Sequence, residues 1–219
     1  MEPKSSSPMR LPSAVRATAL AAVGGGRLRK EFAWMSWAGT VWRLEGQSGV
    51  VYVKRARHLE DEHKRTLWLG GRLPVPEVLG LFRGFGDDWL LTRAVPGVPL
   101  SDRSLGWEPA RVARRLGEIL RGIHAVDATG CPFGRPGIGH VLIHGDYCLP
   151  NVLVVDGRLS GLIDVGGAGL GDPQDDLAAA VWTLQYNYGA GFAREFLDAY
   201  GWPPMSDRAI ERLRRRYAR

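Results

Sequence analysis

The stretch that most limits what this chain can fold into runs from Val141 to Val155. His144-Gly145-Asp146 is followed by four residues and then Asn151, which opens an apolar segment, Val152–Val155. Thirteen residues beyond Asn151 a second apolar segment, Leu159–Ile163, delivers Asp164-Val165-Gly166, and Asp156-Gly157 parts the two segments. Asp-Gly between short apolar runs signals a tight hairpin. A loop feeding that hairpin brings Asp146, Asn151 and Asp164 to one end of it, one carboxylate beside two hard oxygen ligands of the kind Mg2+ takes. Each piece alone would pass for a polar turn; their order and spacing make them a set.

Kinase catalytic loops carry an H-x-D, four residues and then N, and a D-x-G follows with the metal-binding Asp. In that pattern Asp146 meets a substrate hydroxyl, while Asn151 and Asp164 meet Mg2+ on the nucleotide phosphates. Such chemistry also needs a cation for the phosphates and an acid to hold it. Val51-Tyr52-Val53-Lys54 ends an alternating strand in a chain that uses Arg and avoids Lys, although an edge-strand lysine that blocks aggregation would look the same. On the next helix Glu62 falls between Leu59 and Thr66 on the inward stripe, where an unpaired carboxylate would be costly. Glu60 and Asp61 are close enough that geometry alone leaves the choice open.

The 219 residues allow one large domain or two small ones, and 45% apolar with 24% charged residues exclude a mainly disordered chain. Two cysteines, Cys131 and Cys148, exclude a disulfide scaffold and suit a reducing cytoplasm. No apolar run is long enough for a membrane span, and the first residues lack a secretory h-region. The net charge of +6 invites a polyanion, but a genome that writes Arg for Lys accounts for it. Ile210, Leu213 and Tyr217 form an inward stripe on the last helix, so its arginines read as a solvated face, which argues against nucleic acid as partner.

The pattern predicts an α+β chain. Residues 1–30 hold a flexible leader (1–13) and a short helix, Val15–Val23, stopped by three glycines. Residues 31–94 read as three strands, a helix (His58–Gly70) and two more strands, with Gly46–Gly49 as a hairpin turn. Val95–Pro99 reads as a linker, and residues 95–219 turn mainly helical, with Pro109 in the first turn of one helix and closing helices over 178–188, 192–200 and 207–217.

The residues from Glu62 to Leu69, Leu73–Leu79, Trp89–Thr92, Leu120–Asp127, Cys131-Pro-Phe133, His144–Leu153, Ser160–Gly166 and Asp172–Ala178 together resemble the aminoglycoside phosphotransferase family, within it the 3′-phosphotransferase branch. The likeness runs from about Glu31 to Tyr200. It implies a bilobal protein-kinase-like fold, with a small antiparallel-sheet lobe binding nucleotide and a helical lobe binding the acceptor. It also implies a cytoplasmic, ATP- and Mg2+-dependent transfer to a hydroxyl of a small molecule, nominally the 3′-hydroxyl of an aminoglycoside, and hence antibiotic resistance. By the same likeness Asp146 is the base, Asn151 and Asp164 the metal ligands, Lys54 the phosphate clamp and Glu62 its partner. Met35–Trp42 lies where the family's phosphate-covering hairpin does, and Thr92 begins the hinge facing adenine. His144 and Asp176 support the catalytic loop, Asp176 doubling as a helix N-cap if it opens the helix.

The chain departs from the family on the acceptor side. Only Gly134–Ile143 stands where the family has a long helical insertion carrying acids. Leu149 replaces an acid that some members have, and residues 208–219 hold six Arg against one Glu. Basic walls repel polycations. The departures predict weak aminoglycoside turnover and an open cleft beside Asp146, with an acceptor that is neutral or anionic, or none.

Overall fold

The computed structural model describes residues 10–26, 28–36, 39–84, 86–134 and 141–218. By their internal contacts they fall into one unit ending at Ala94 and a second made of residues 68–75 and 95–219.

In the first unit, α1 (Ser13–Ala22) precedes the strands β1 (Lys30–Ser36), β2 (Gly39–Glu45) and β3 (Val50–Ala56). Then come α2 (Glu60–Leu69), β4 (Val78–Gly84) and β5 (Asp87–Arg93). The five strands make one antiparallel sheet in the order β1-β2-β3-β5-β4. Alternation in β2 and β3 sends Trp42, Leu44, Val51 and Val53 to the buried face, where they meet Trp89 and Leu91. The turn predicted at Gly46–Gly49 is present, the Gly46 N–H bonding Gly49 O at 3.0 Å. The loop of the Met35–Trp42 hairpin, at residues 37 and 38, lies outside the described residues.

The start of the chain differs from the predicted leader. Leu11 is already buried, and with Val15, Ala19 and Val23 it fills the same core as Trp42 and Trp89. α1 therefore covers the sheet, and each such buried aliphatic contributes about 1.5–3 kcal/mol. It ends as the glycines predict: the Gly25 N–H reaches back to Leu20 O at 2.8 Å, a glycine-terminated C-cap.

The second unit adds β6 (Val98–Pro99), α3 (Pro109–His124), β7 (Val141–Ile143), β8 (Val152–Val155), β9 (Arg158–Leu162) and β10 (Gly169–Gly171). It closes with α4 (Pro173–Tyr188), α5 (Ala193–Tyr200) and α6 (Asp207–Tyr217). Two small antiparallel sheets, β6-β8-β9 and β10-β7, sit beside the helices. α3 shows Val112, Leu116, Ile119, Leu120 and Ile123 to the core at helical spacing. Gly117 lets α5 approach closely, since a β-carbon there would lie 2.4 Å from Phe196 O.

Two boundaries move for physical reasons. Val98 and Pro99, read as linker, pair with Val154 and Leu153 as a two-residue strand too short to show a period. α4 begins at Pro173 rather than Ala178, because the Asp172 carboxylate accepts the Gln174 N–H at 2.9 Å and Pro173 takes the first helical position. The N-cap is therefore Asp172, and Asp176 lies inside the first turn.

Candidate active site

The hairpin does what its sequence requires. Val152 pairs with Leu162, and the Ile163 N–H donates to Asn151 O at 3.0 Å, so Asn151 and Asp164 flank the same end of β8 and β9. Asp164 stands at φ 56°, the left-handed region where a residue with a β-carbon is uncommon. Strain of this kind is tolerated where surrounding structure enforces it, which points to functional loops.

Asp146 is half-buried, and one side of its carboxylate is fixed. Asn151 Nδ2 donates to Asp146 Oδ2 at 2.9 Å and to Asp146 O at 3.0 Å. The amide nitrogen is thereby committed to Asp146, and Asn151 Oδ1 is left as the acceptor end. Asn151 Oδ1 and the Asp164 carboxylate are both hard oxygens, the donor type that could hold Mg2+. Among the described residues no cluster of three His, Cys, Asp or Glu is placed for a metal.

The loop carrying Asp146 is held from behind. Asp176 is fully buried, its Oδ2 accepting the His144 N–H at 2.7 Å and its Oδ1 the Gly145 N–H at 2.8 Å. His124 Nε2 lies 3.1 Å from Asp176 Oδ2 and must be the donor, because a carboxylate only accepts; its Nδ1 then accepts from the Tyr200 hydroxyl at 2.9 Å. His144 Nε2 donates to Ile163 O at 3.0 Å, and its Nδ1 accepts the Asp146 N–H at 3.2 Å. Gly145, at φ 83°, lets the chain pass Gly167, whose O would lie 2.4 Å from an added β-carbon. Tyr147 is fully buried and donates to Leu116 O at 2.9 Å; burial pushes its phenol well above the usual range.

Lys54 and Glu62 meet in the first unit: Nζ lies 2.8 Å from Oε2, with each side chain only 14% exposed. Of the three acids on α2 that the sequence left open, Glu60 pairs with Lys64 and Arg83, and Asp61 with Arg65. Thr92 remains in the sheet, paired with Tyr52, so the chain leaves β5 only at Ala94.

The acids around α6 and the start of α4 are matched by arginine. Arg216 on α6 reaches Asp175 Oδ1 at 2.7 Å and Asp172 Oδ2 at 2.9 Å. Glu211 is bound at 2.8 Å by both Arg214 and Arg215, which hold its carboxyl down to about 2. The cleft expected to lie open beside Asp146 is instead entered by α6, whose Tyr217 hydroxyl donates to Asp146 Oδ1. The Cys148 thiol donates to that hydroxyl at 3.4 Å, and burial pushes the thiol up to about 12. Residues 135–140, which hold most of the shortened segment, lie outside the described ones.

Sequence reasoning missed His124, Tyr147 and Tyr217 as parts of the site. Their only local signal is a polar ring on an otherwise apolar inward face, and nothing in the spacing ties them to Asp146.

A five-stranded sheet unit followed by a helical unit with this acid–amide–acid hairpin is the architecture of protein-kinase-like phosphotransferases. The chain belongs to the Phosphotransferase enzyme family, whose profile matches residues 30–140 and 139–215. It is similar to the aminoglycoside 3′-phosphotransferase of Streptomyces ribosidificus, 29% identical with 74% of this chain and 83% of the relative covered. The corresponding protein of Niallia circulans is 27% identical, covering 66% and 72%. Among solved structures, the aminoglycoside 3′-phosphotransferase of type VIII superposes with a TM-score of 0.68 at 28% identity, over 91% of this chain and 97% of the other.

Proposed function

We propose that this chain moves the γ-phosphate of ATP to a hydroxyl of a small molecule in the cytoplasm, an aminoglycoside in the nominal case, and so confers resistance. The observation that carries the reading is the Asp146 carboxylate, fixed at Oδ2 by Asn151 and mounted on a loop whose backbone Asp176 holds. Its Oδ1 is placed to accept an acceptor O–H and take the proton as the oxygen bonds to the γ-phosphorus and ADP leaves. Lys54, aligned by Glu62, neutralises and orients the α- and β-phosphates. Bound by Asn151 Oδ1 and Asp164, Mg2+ supplies charge neutralisation on the phosphates. Support for a nucleotide comes from a related fold: the structure of an aminoglycoside phosphotransferase variant, 17% identical, is a ternary complex with ADP and hygromycin B.

A second reading, transfer to an acceptor that is not a polycation or nucleotide binding alone, is favoured by the pairing of Asp172, Asp175 and Glu211 with arginines. An aminoglycoside ammonium group gains little from a carboxylate that a guanidinium already holds. A screen of ADP release against kanamycin A and neutral hydroxylated metabolites, with Asp146→Ala as control, separates the readings. Kanamycin A turnover with a KM in the micromolar range supports the first. Release only with neutral acceptors, or Mg2+-dependent ATP binding without release, supports the second. Release that survives Asp146→Ala refutes the assignment of the base.

A further inference from the structure

The Asp146 carboxylate has two oxygens with different occupants. Oδ2 is held by Asn151 at 2.9 Å. Oδ1, the oxygen left to receive an acceptor hydroxyl, already receives one, the phenolic O–H of Tyr217. The phenol is held in place from several sides. Its ring lies 5.3 Å from that of Trp182 on α4, Cys148 Sγ lies 3.4 Å from its oxygen and 3.5 Å from Asp146 Oδ1, and Leu213 one turn earlier is buried. The neighbouring Arg216 ties the end of α6 to Asp172 and Asp175 at the start of α4. A phenol in this setting keeps its proton, because burial and the adjoining carboxylate both raise its pKa. It is therefore a permanent donor at the position where the reaction requires the acceptor's O–H.

We propose that Tyr217 holds the acceptor hydroxyl's place on Asp146, so that every acceptor, water included, has to displace this phenol before transfer. The inference rests on reading Asp146 as the base. It makes α6 an intramolecular competitor: acceptors are selected by how well they replace one charge-assisted hydrogen bond and part α6 from Asp146.

The test uses the full chain with Mg2+ and ATP and follows ADP release, first with water as the only acceptor and then with kanamycin A. Tyr217→Phe keeps the ring against Trp182 and removes only the competing hydroxyl. It is expected to raise acceptor-independent hydrolysis about tenfold, the weight of one such hydrogen bond. The KM for kanamycin A should fall by a similar factor with kcat within about twofold. Arg216→Gln, which loosens the end of α6 without touching Asp146, should raise hydrolysis in the same direction and guards against a folding defect in the first variant. A merely supporting role for Tyr217 would instead lower kcat and leave KM alone. That result, or hydrolysis unchanged in both variants, overturns the proposal. Adding Asp146→Ala to Tyr217→Phe should abolish the gain. If the gain persists without Asp146, the reading of the base itself has failed, whereas wild-type release that depends on Asp146 with no gain in either variant overturns only the competitor.

Discussion

Asp176→Ala should damage stability and activity together, and its cost can be worked from the structure. The wild-type carboxylate has no solvent exposure and receives three donors: the His144 and Gly145 amides at 2.7 and 2.8 Å and His124 Nε2 at 3.1 Å. Truncation leaves the buried His144 N–H and the part-buried Gly145 N–H without an acceptor, at about 1–3 kcal/mol each, the latter at the low end. His124 keeps the Tyr200 hydroxyl but loses its carboxylate. The two stranded amides together cost about 2–6 kcal/mol. For a chain of 150–250 residues, where each kcal/mol is worth about 2–4 °C, the Tm should fall by roughly 4–24 °C. Asp176→Asn should cost less, because one oxygen can still accept while its NH2 opposes the other donor. Urea denaturation followed by tryptophan fluorescence, with a thermal melt alongside, measures both variants. A loss below about 1 kcal/mol for Asp176→Ala would refute the account, since it would mean that water or a loop shift satisfies the stranded amides.

Lys54→Ala should raise the KM for ATP and lower kcat, and Glu62→Gln should do the same more mildly, as read by steady-state ADP release; an unchanged KM in both would dismiss the clamp. Asp164→Asn should remove most Mg2+-dependent nucleotide binding in a titration while leaving the Tm near wild type. Gly145→Ala should abolish activity, because its β-carbon would meet Gly167 O at 2.4 Å and its φ of 83° disfavours a side chain; activity within tenfold of wild type would show that the loop yields. Of the two cysteines, Cys131 should react with a thiol reagent at pH 8 in the folded protein and Cys148 should not. A thiol pushed up to about 12 stays protonated there. As burial raises the folded pKa of Cys148, its contribution to stability is intact below the ordinary thiol range and declines as pH rises above it.

What could be read before the structure was known was whatever the local chain encodes. Asp146, Asn151 and Asp164 sit on one loop and one hairpin, so their spacing along the chain is nearly their spacing in space. Lys54 and Glu62 are only eight residues apart, on a strand and the helix after it, but spacing leaves Glu60 and Asp61 equally eligible, and only the family resemblance singles out Glu62. Asp176 is legible through the family resemblance, but the helix is capped by Asp172, because Pro173 takes the first helical position. β6, β7 and β10 were missed because two or three residues carry no period. Tyr217 lies 71 residues from the carboxylate it bonds, and only the packing of α6 on α4 brings them together. Leu11 is not legible as core, because one leucine among Ser and Pro gives no hint of the sheet it covers.

The way the loop from His144 to Asn151 is anchored has a consequence for how the second unit opens. Its amides and side chains bond α4 through Asp176, α3 through the Tyr147 hydroxyl and β9's exit through Ile163 O. Reactive loops are usually drawn from the parts of a protein that exchange their amide hydrogens readily by small local openings. Here the His144 and Gly145 amides cannot be bared without pulling a buried carboxylate out of a helix that runs through the core. Their exchange is therefore expected to follow opening of the whole helical unit, at a protection close to that of the α3 and α4 interiors. The loop that carries Asp146 should behave, on the exchange timescale, as part of the slowest core of its unit.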